Sequence, residues 1–226
     1  MTGNPIFVAV DTPALADARA LVTRVAPHVG GVKLGLEFFC ANGPAGVANI
    51  AGLGLPVFLD LKLHDIPNTV AGAMRSLSGL APAIVTVHAT GGAAMLAAAR
   101  AAAPAATRVV AVTVLTSLDD DDLLAAGVAG GAAAQVVRLA GVVRGAGLNG
   151  VVASPHETAA VRAAWPDAMI VVPGVRPAGS DVGDQKRVMT PRQALAAGAS
   201  VLVIGRPITG ASDPAAAAAA IARDLL

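Results

Sequence analysis

Short apolar runs rich in β-branched residues recur along the chain. They are IFVAV (Ile6–Val10), GVKLG (Gly31–Gly35), VFLDL (Val57–Leu61), IVTVH (Ile84–His88), VVAVTV (Val109–Val114), GVVAS (Gly150–Ser154), MIVVP (Met169–Pro173) and VLVIG (Val201–Gly205). Each predicts a strand. Between them lie Ala-rich stretches of good helix formers, such as ALADARALVTRVA and AAAQVVRLAGVVRGAG. Strands alternating with helices imply right-handed crossovers and a parallel sheet. Eight such units in 226 residues have the number and size of an α/β fold of the (β/α)8 TIM barrel type, a single domain over residues 1–226 with no linker composition. A doubly wound open sheet is the competing arrangement, but no G-x-G-x-x-G follows the first strand.

Helix starts support this parse. Asp213-Pro214, Thr190-Pro191 and Asp11-Thr12-Pro13 each set a capping residue beside a first-turn proline. Ser154 and Glu157 have capping-box spacing. The four acids Asp119–Asp122 are read as the first turn of a helix, where the macrodipole favours negative charge, rather than as a metal site. The alanine run Ala215–Ala220 reads as the last helix.

Composition narrows the function. Apolar residues are 55% and charged residues 14%, which excludes intrinsic disorder. Sixteen Lys and Arg against fifteen Asp and Glu leave a charge of +1, and the aromatics are four Phe, one Trp and no Tyr. Neither a basic footprint nor a stacking platform for nucleic acid is present. The start MTGNPIFVAV lacks the pattern of a secretory signal, and the longest apolar stretch, Leu80–Ala106, is interrupted by His88, Arg100 and two prolines. The single Cys40 suits a reducing compartment and is read as a small buried packing residue. The expected location is the cytoplasm, with no membrane attachment.

In a barrel of this kind, function gathers at the C-terminal ends of the strands. Those ends carry Asp11, Lys33, Asp60 with Lys62, His88, Thr116-Ser117, Ser154, Gly174 and Gly205-Arg206. Within LDLKLHDIPNT (Leu59–Thr69), strand alternation puts Phe58, Asp60 and Lys62 on one face, and Leu59 and Leu61 on the other. The leucines belong against the helices, so Asp60 and Lys62 point into the barrel mouth, with Lys33 inward on the neighbouring strand. Buried charges need partners, so Lys33, Asp60, Lys62 and Asp65 are expected to form a network of alternating sign. A structural ion-pair cluster is the plain alternative; the position at the mouth favours the functional reading.

These residues resemble a known family. Asp60–Thr69 (D-x-K-x-H-D-I-P-N-T), VDTP (Val10–Pro13), KLG (Lys33–Gly35), VHATGG (Val87–Gly92), VLTS (Val114–Ser117), PGVRPAGSDVGDQKRVMTP (Pro173–Pro191) and VIGRPIT (Val203–Thr209) are similar, in collinear order, to the orotidine 5′-phosphate decarboxylases. No motif position departs from the pattern. The D-x-K-x-x-D core alone is shared with a wider suprafamily of sugar-phosphate barrels; the HDIPNT extension and the PG-x-R…DQ…IGRP set are far more specific. The resemblance implies cofactor-free and metal-free conversion of orotidine 5′-monophosphate to uridine 5′-monophosphate and CO₂, the last step of de novo UMP biosynthesis. It implies Lys62 as the proton donor to C6 of the pyrimidine, with Asp60 beside the substrate carboxylate. Asp11 and Lys33 correspond to ribose contacts, Thr116 and Ser117 to the reader of the pyrimidine amide edge, and Pro173 and Arg176 to further ligands. Asp65 and Thr69 correspond to residues offered across a homodimer interface.

The phosphate end can also be read from the residues. A phosphate commonly binds at the loops after the seventh and eighth strands, where Gly205 allows close backbone approach and Arg206 supplies a guanidinium. A segment as long as 174–190 reads as a lid, and the resemblance makes Gln185 its contact to the phosphate and base. His64 and His88 lack metal-ligand spacing and lie beside a lysine, so no metal is expected; His88 reads as a hydrogen-bonded residue under the mouth. His28 and His156 carry no signal, and Trp165 beside Pro166 reads as helix-end packing. Two rivals remain: a Mg²⁺-dependent sugar-phosphate relative, such as a 3-keto-gulonate phosphate decarboxylase or hexulose phosphate synthase, and a non-catalytic nucleotide-binding barrel.

Overall fold

The computed structural model describes residues 3–177 and 189–225. Eight parallel strands close in chain order into a barrel: β1 (Ile6–Ala9), β2 (Gly31–Leu34), β3 (Val57–Leu63), β4 (Ile84–His88), β5 (Arg108–Val112), β6 (Gly150–Val152), β7 (Met169–Val172) and β8 (Val201–Ile204). β8 returns to β1 through the register Ile6↔Leu202 to Val8↔Ile204, so no sheet edge is left and the open-sheet alternative is excluded. Every apolar run read as a strand is one. β3 continues two residues further, to Leu63, and β6 stops two residues short, at Val152.

Helices cover the barrel: α1 (Leu15–Val25), α2 (Leu36–Ala51), α3 (Pro67–Leu77), α4 (Gly92–Ala102), α5 (Asp120–Ala125), α6 (Gly131–Gly145), α7 (Thr158–Ala164), α8 (Pro191–Ala196), α9 (Arg206–Thr209) and α10 (Pro214–Asp224). α2 is broken at Gly43, whose φ of 59° lies outside the helical region. The following Pro44 disfavours helical backbone at that position, and glycine takes the alternative at no steric cost.

Strand alternation divides the core into two layers. Phe7, Ala9, Phe58, Ile84, Val110, Val171, Val201 and Val203 fill the barrel interior. Ile6, Val8, Leu59, Val85, Val87, Val109 and Ala111 face outward, against helix residues such as Val22, Phe38, Met74 and Leu96. Full burial of such side chains contributes about 1.5–3 kcal/mol each. Phe7 and Phe58 meet edge to face at 6.5 Å across the interior. Gly31 accommodates that pair, since a Cβ there would lie 2.3 Å from Phe7 Cε1.

The caps are mixed. Asp213 Oδ1 accepts from the backbone N–H groups of Ala215 (3.0 Å) and Ala216 (3.3 Å), and Thr190 forms a capping box with Gln193. Asp119 and Asp122 form another on α5, as the dipole argument required. Asp11-Thr12-Pro13 does not cap a helix: α1 begins only at Leu15, after Ala14, and Asp11 turns instead toward Lys33. Ser154 and Glu157 do meet, but as hydroxyl to carboxylate; the α7 N-cap is Glu157 itself, with no side-chain cap bond. Cys40 is exposed on α2 rather than buried. Trp165 packs, buried, at the C-terminal end of α7. Among the described residues no helix is long and apolar enough to cross a membrane.

Candidate active site

β2 and β3 carry the charges. Lys33, near the end of β2, places its Nζ 3.2 Å from Asp11 Oδ1 and 3.6 Å from Asp60 Oδ2. Lys62 Nζ lies 2.9 Å from Asp60 Oδ1. The result is a line of alternating sign, Asp11–Lys33–Asp60–Lys62. The expected alternation of Lys33, Asp60 and Lys62 is present, and Asp11 extends it at the Lys33 end. Its central members are the most enclosed: the Lys33 and Asp60 side chains are 11% and 13% exposed, against 54% for Asp11. Gly35 leaves room for the outer pair, since a Cβ there would stand 3.0 Å from Lys33 Nζ and 3.2 Å from Asp11 Oδ1.

β3 is not a plain strand where these charges stand. Leu59 pairs with Val85 and Leu63 with Val87, so Asp60, Leu61 and Lys62 lie opposite the single residue Thr86. Lys62 absorbs the excess chain with a φ of 51°. Such left-handed backbone costs a non-glycine residue about 1–3 kcal/mol and persists only where the surroundings enforce it.

The charged line borders a pocket at the C-terminal ends of the strands. Lys33, Phe58, Asp60 and Lys62 line one side; Val112, Val114, Leu115, Thr116, Val152, Ala153, Val171, Pro173 and Val203 line the rest. Of the residues singled out from sequence, Lys33, Asp60, Lys62, Thr116 and Pro173 thus come together. Ser117 is exposed beside Thr116 and does not line this pocket. Arg176 is buried just beyond β7, its backbone N–H donating to Met189 O at 2.9 Å and its Nη1 to Val175 O. Gly205 and Arg206 form the step from β8 into α9, with Arg206 exposed.

Asp65 and Thr69 stand apart from this arrangement. Both are exposed, and Asp65 Oδ1 accepts from the adjacent Ile66 N–H at 2.6 Å. Among the described residues Asp65 forms no ion pair with Lys62, because the chain turns outward into α3 after Leu63. Gln185, with most of the segment read as a lid, lies outside the described residues.

His64 and His88 stack with ring centroids 5.2 Å apart, and His88 Nδ1 is 2.7 Å from Thr90 Oγ1. Burial, then the His64 ring, then the Lys62 ammonium hold His88 below its ordinary value of 6.5, so the neutral ring is favoured. Among the described residues no group of three or more His, Cys, Asp or Glu is placed to hold a metal ion.

Two contributions were missed in the sequence. The apolar lining comes from strands buried on both faces, whose continuous Val and Ile runs do not reveal which residues look inward. Thr86 did leave a signal, as the one hydroxyl inside the apolar run IVTVH.

The chain matches the family model described as Orotidine 5′-phosphate decarboxylase / HUMPS family over residues 4–221, from ahead of β1 into α10. It belongs to this family. The orotidine 5′-phosphate decarboxylase of Sphingopyxis alaskensis is 60% identical over 215 residues, 95% of this chain and 96% of that one. That of Moorella thermoacetica is 56% identical over 232 residues, covering 98% and 92%. Among solved structures, the orotidine 5′-phosphate decarboxylase of Lactobacillus acidophilus superposes with a TM-score of 0.87 at 36% identity, covering 99% of each chain. An uncharacterized conserved protein from Geobacillus kaustophilus follows at 0.84 and 34%, covering 98% of this chain and all of its own.

Proposed function

We propose that this protein decarboxylates orotidine 5′-monophosphate to uridine 5′-monophosphate and CO₂, with Lys62 as the proton donor. The observation that carries the reading is the Lys62 ammonium held 2.9 Å from Asp60 at the rim of a largely apolar pocket, in a chain whose 60%-identical relatives are orotidine 5′-phosphate decarboxylases. Loss of CO₂ breaks the bond from C6 to the carboxylate and leaves its electron pair on C6. That pair has no conjugated sink, so the site must stabilise the charge electrostatically and supply a proton. The Lys62 ammonium does both: its positive charge faces C6, its proton forms the new C–H bond, and the neutral amine then regains a proton from solvent. Asp60 holds the ammonium in place and sets a negative charge beside the departing carboxylate.

The other assignments belong to the same reading. Lys33 and Asp11 contact the ribose hydroxyls, Thr116 and Ser117 read the pyrimidine edge, and Pro173 closes the far side of the base. Arg176, Gly205 and Arg206 receive the phosphate, with Gln185 reaching it from the 174–190 segment as that segment closes. Phosphate binding remote from C6 then contributes to the barrier at C6. Asp65 and Thr69, exposed at the start of α3, serve the neighbouring site of a homodimer. The reading places the protein in the cytoplasm and needs no metal or cofactor.

Purified protein in excess EDTA is expected to convert orotidine 5′-monophosphate, followed by its ultraviolet absorbance change. Absence of turnover of orotidine 5′-monophosphate under those conditions would sink the assignment.

A further inference from the structure

Thr86 is fully buried in the middle of β4, between Val85 and Val87, which face the helices. Its hydroxyl has two partners. It accepts from the backbone N–H of Lys62 at 2.9 Å and donates to Asp60 Oδ1 at 3.0 Å. The same Asp60 oxygen takes the Lys62 ammonium at 2.9 Å. Both ends of Lys62 are therefore tied to one carboxylate oxygen, the side chain directly and the main chain through Thr86.

This closed loop coincides with the break in the β3–β4 register, where three residues of β3 face Thr86 alone. The Lys62 N–H is taken there by a side chain rather than by a carbonyl of the neighbouring strand. A buried N–H without a partner is rarely tolerated, and the left-handed φ of 51° at Lys62 needs enforcement from its surroundings. A hydroxyl meets both needs at once, because it can accept from the N–H and still donate to the carboxylate.

We propose that Thr86 is a positioning residue for proton transfer: its hydroxyl clamps the strained Lys62 backbone and fixes Asp60 Oδ1, and so aims the ammonium. The kinetic part of this proposal rests on the decarboxylase reading; the clamp itself does not. Thr86→Val keeps the shape and removes the hydroxyl, and Thr86→Ser keeps the hydroxyl and removes the methyl.

The first measurement is amide exchange at Lys62 in the ligand-free protein. Slow exchange is expected in the wild type and Thr86→Ser, and exchange faster by at least about tenfold in Thr86→Val. The second is steady-state turnover of orotidine 5′-monophosphate. Here kcat is expected to fall by about 100-fold in Thr86→Val, as for a misplaced catalytic group, with KM changed by less than about threefold and most of kcat recovered in Thr86→Ser. Thr86→Ala serves as a second hydroxyl-free variant, with the same expectations, if the valine cannot be folded. Wild-type exchange or wild-type kcat in the hydroxyl-free variants overturns the proposal, and so does a serine variant as impaired as the valine. Exchange requires no substrate, so a wild-type protein without turnover would count against the decarboxylase reading while the exchange data still decided the clamp.

Discussion

On one side of the barrel mouth, Lys33, Asp60 and Lys62 stand in ion-pair contact on β2 and β3. Across the same pocket, Val112, Val152 and Val171 from β5, β6 and β7, with Ala153 just beyond β6, present only methyl groups. The backbones differ as sharply. β5, β6 and β7 pair in unbroken register, whereas β3 slips against β4 at the charges. Each wall supplies what the other lacks. Two unit charges 4 Å apart interact by about 1 kcal/mol in water and by about 4 kcal/mol at an effective dielectric of 20, so an apolar wall that displaces water strengthens the charges opposite. The charged wall bears desolvation and backbone strain, which makes it a poor place to look for fold stability.

Three experiments test this division, in order of expected effect. Lys62→Ala is expected to lower turnover of orotidine 5′-monophosphate by at least the factor of about 10²–10⁴ typical of a lost proton donor. Product nucleotide binding should stay measurable by titration, and the melting temperature should move little, because Asp60 keeps Lys33 and Thr86 as partners. Near-normal turnover would remove Lys62 from its role. Phe58→Ala probes the floor that both walls share. Phe58 is 1% exposed and packs on Phe7, so its loss is expected to cost about 3–5 kcal/mol of stability in denaturant unfolding. A smaller loss than that of Lys62→Ala would break the comparison.

The smallest effect is on pH dependence. Because His88 is held below 6.5 in the folded protein, the unfolded chain takes up its proton first as the pH falls. The stability tied to neutral His88 is therefore complete above 6.5 and lost as the pH drops toward the folded value. His64 and Lys62, the groups facing it, add to that loss by repulsion. Unfolding free energy measured across this range is expected to fall more steeply in the wild type than in His88→Gln. Equal slopes would show that burial and its neighbours do not hold the ring neutral.

Much of this could be read along the chain. The strand runs, the helix caps at Thr190 and Asp213, and the inward direction of Lys33, Asp60 and Lys62 follow from periods of 3.6 and 2.0 and from local hydrogen bonding, which act over a few residues. For Asp11 the local pattern fits a cap as well as a site residue, because a carboxylate shortly before a proline satisfies the capping pattern whether or not the helix begins there. The pull of Lys33, 22 residues away in sequence, carries no local mark. Asp65 has the spacing from Lys62 that the network needs, but within one chain the turn outward after Leu63 leads it away from that ammonium.

By itself, then, the sequence determined the architecture, the family and the identity of the charged residues, because each is written in local patterns or in residue types at set spacings. Only the tertiary structure decided that Asp11 joins the alternating line at Lys33, that Lys62 sits on a two-residue slip between β3 and β4, and that the hydroxyl of Thr86 joins the two strands there. Register between strands is a long-range choice set by how the whole barrel closes, and a sequence pattern with period 2 does not show where that register slips.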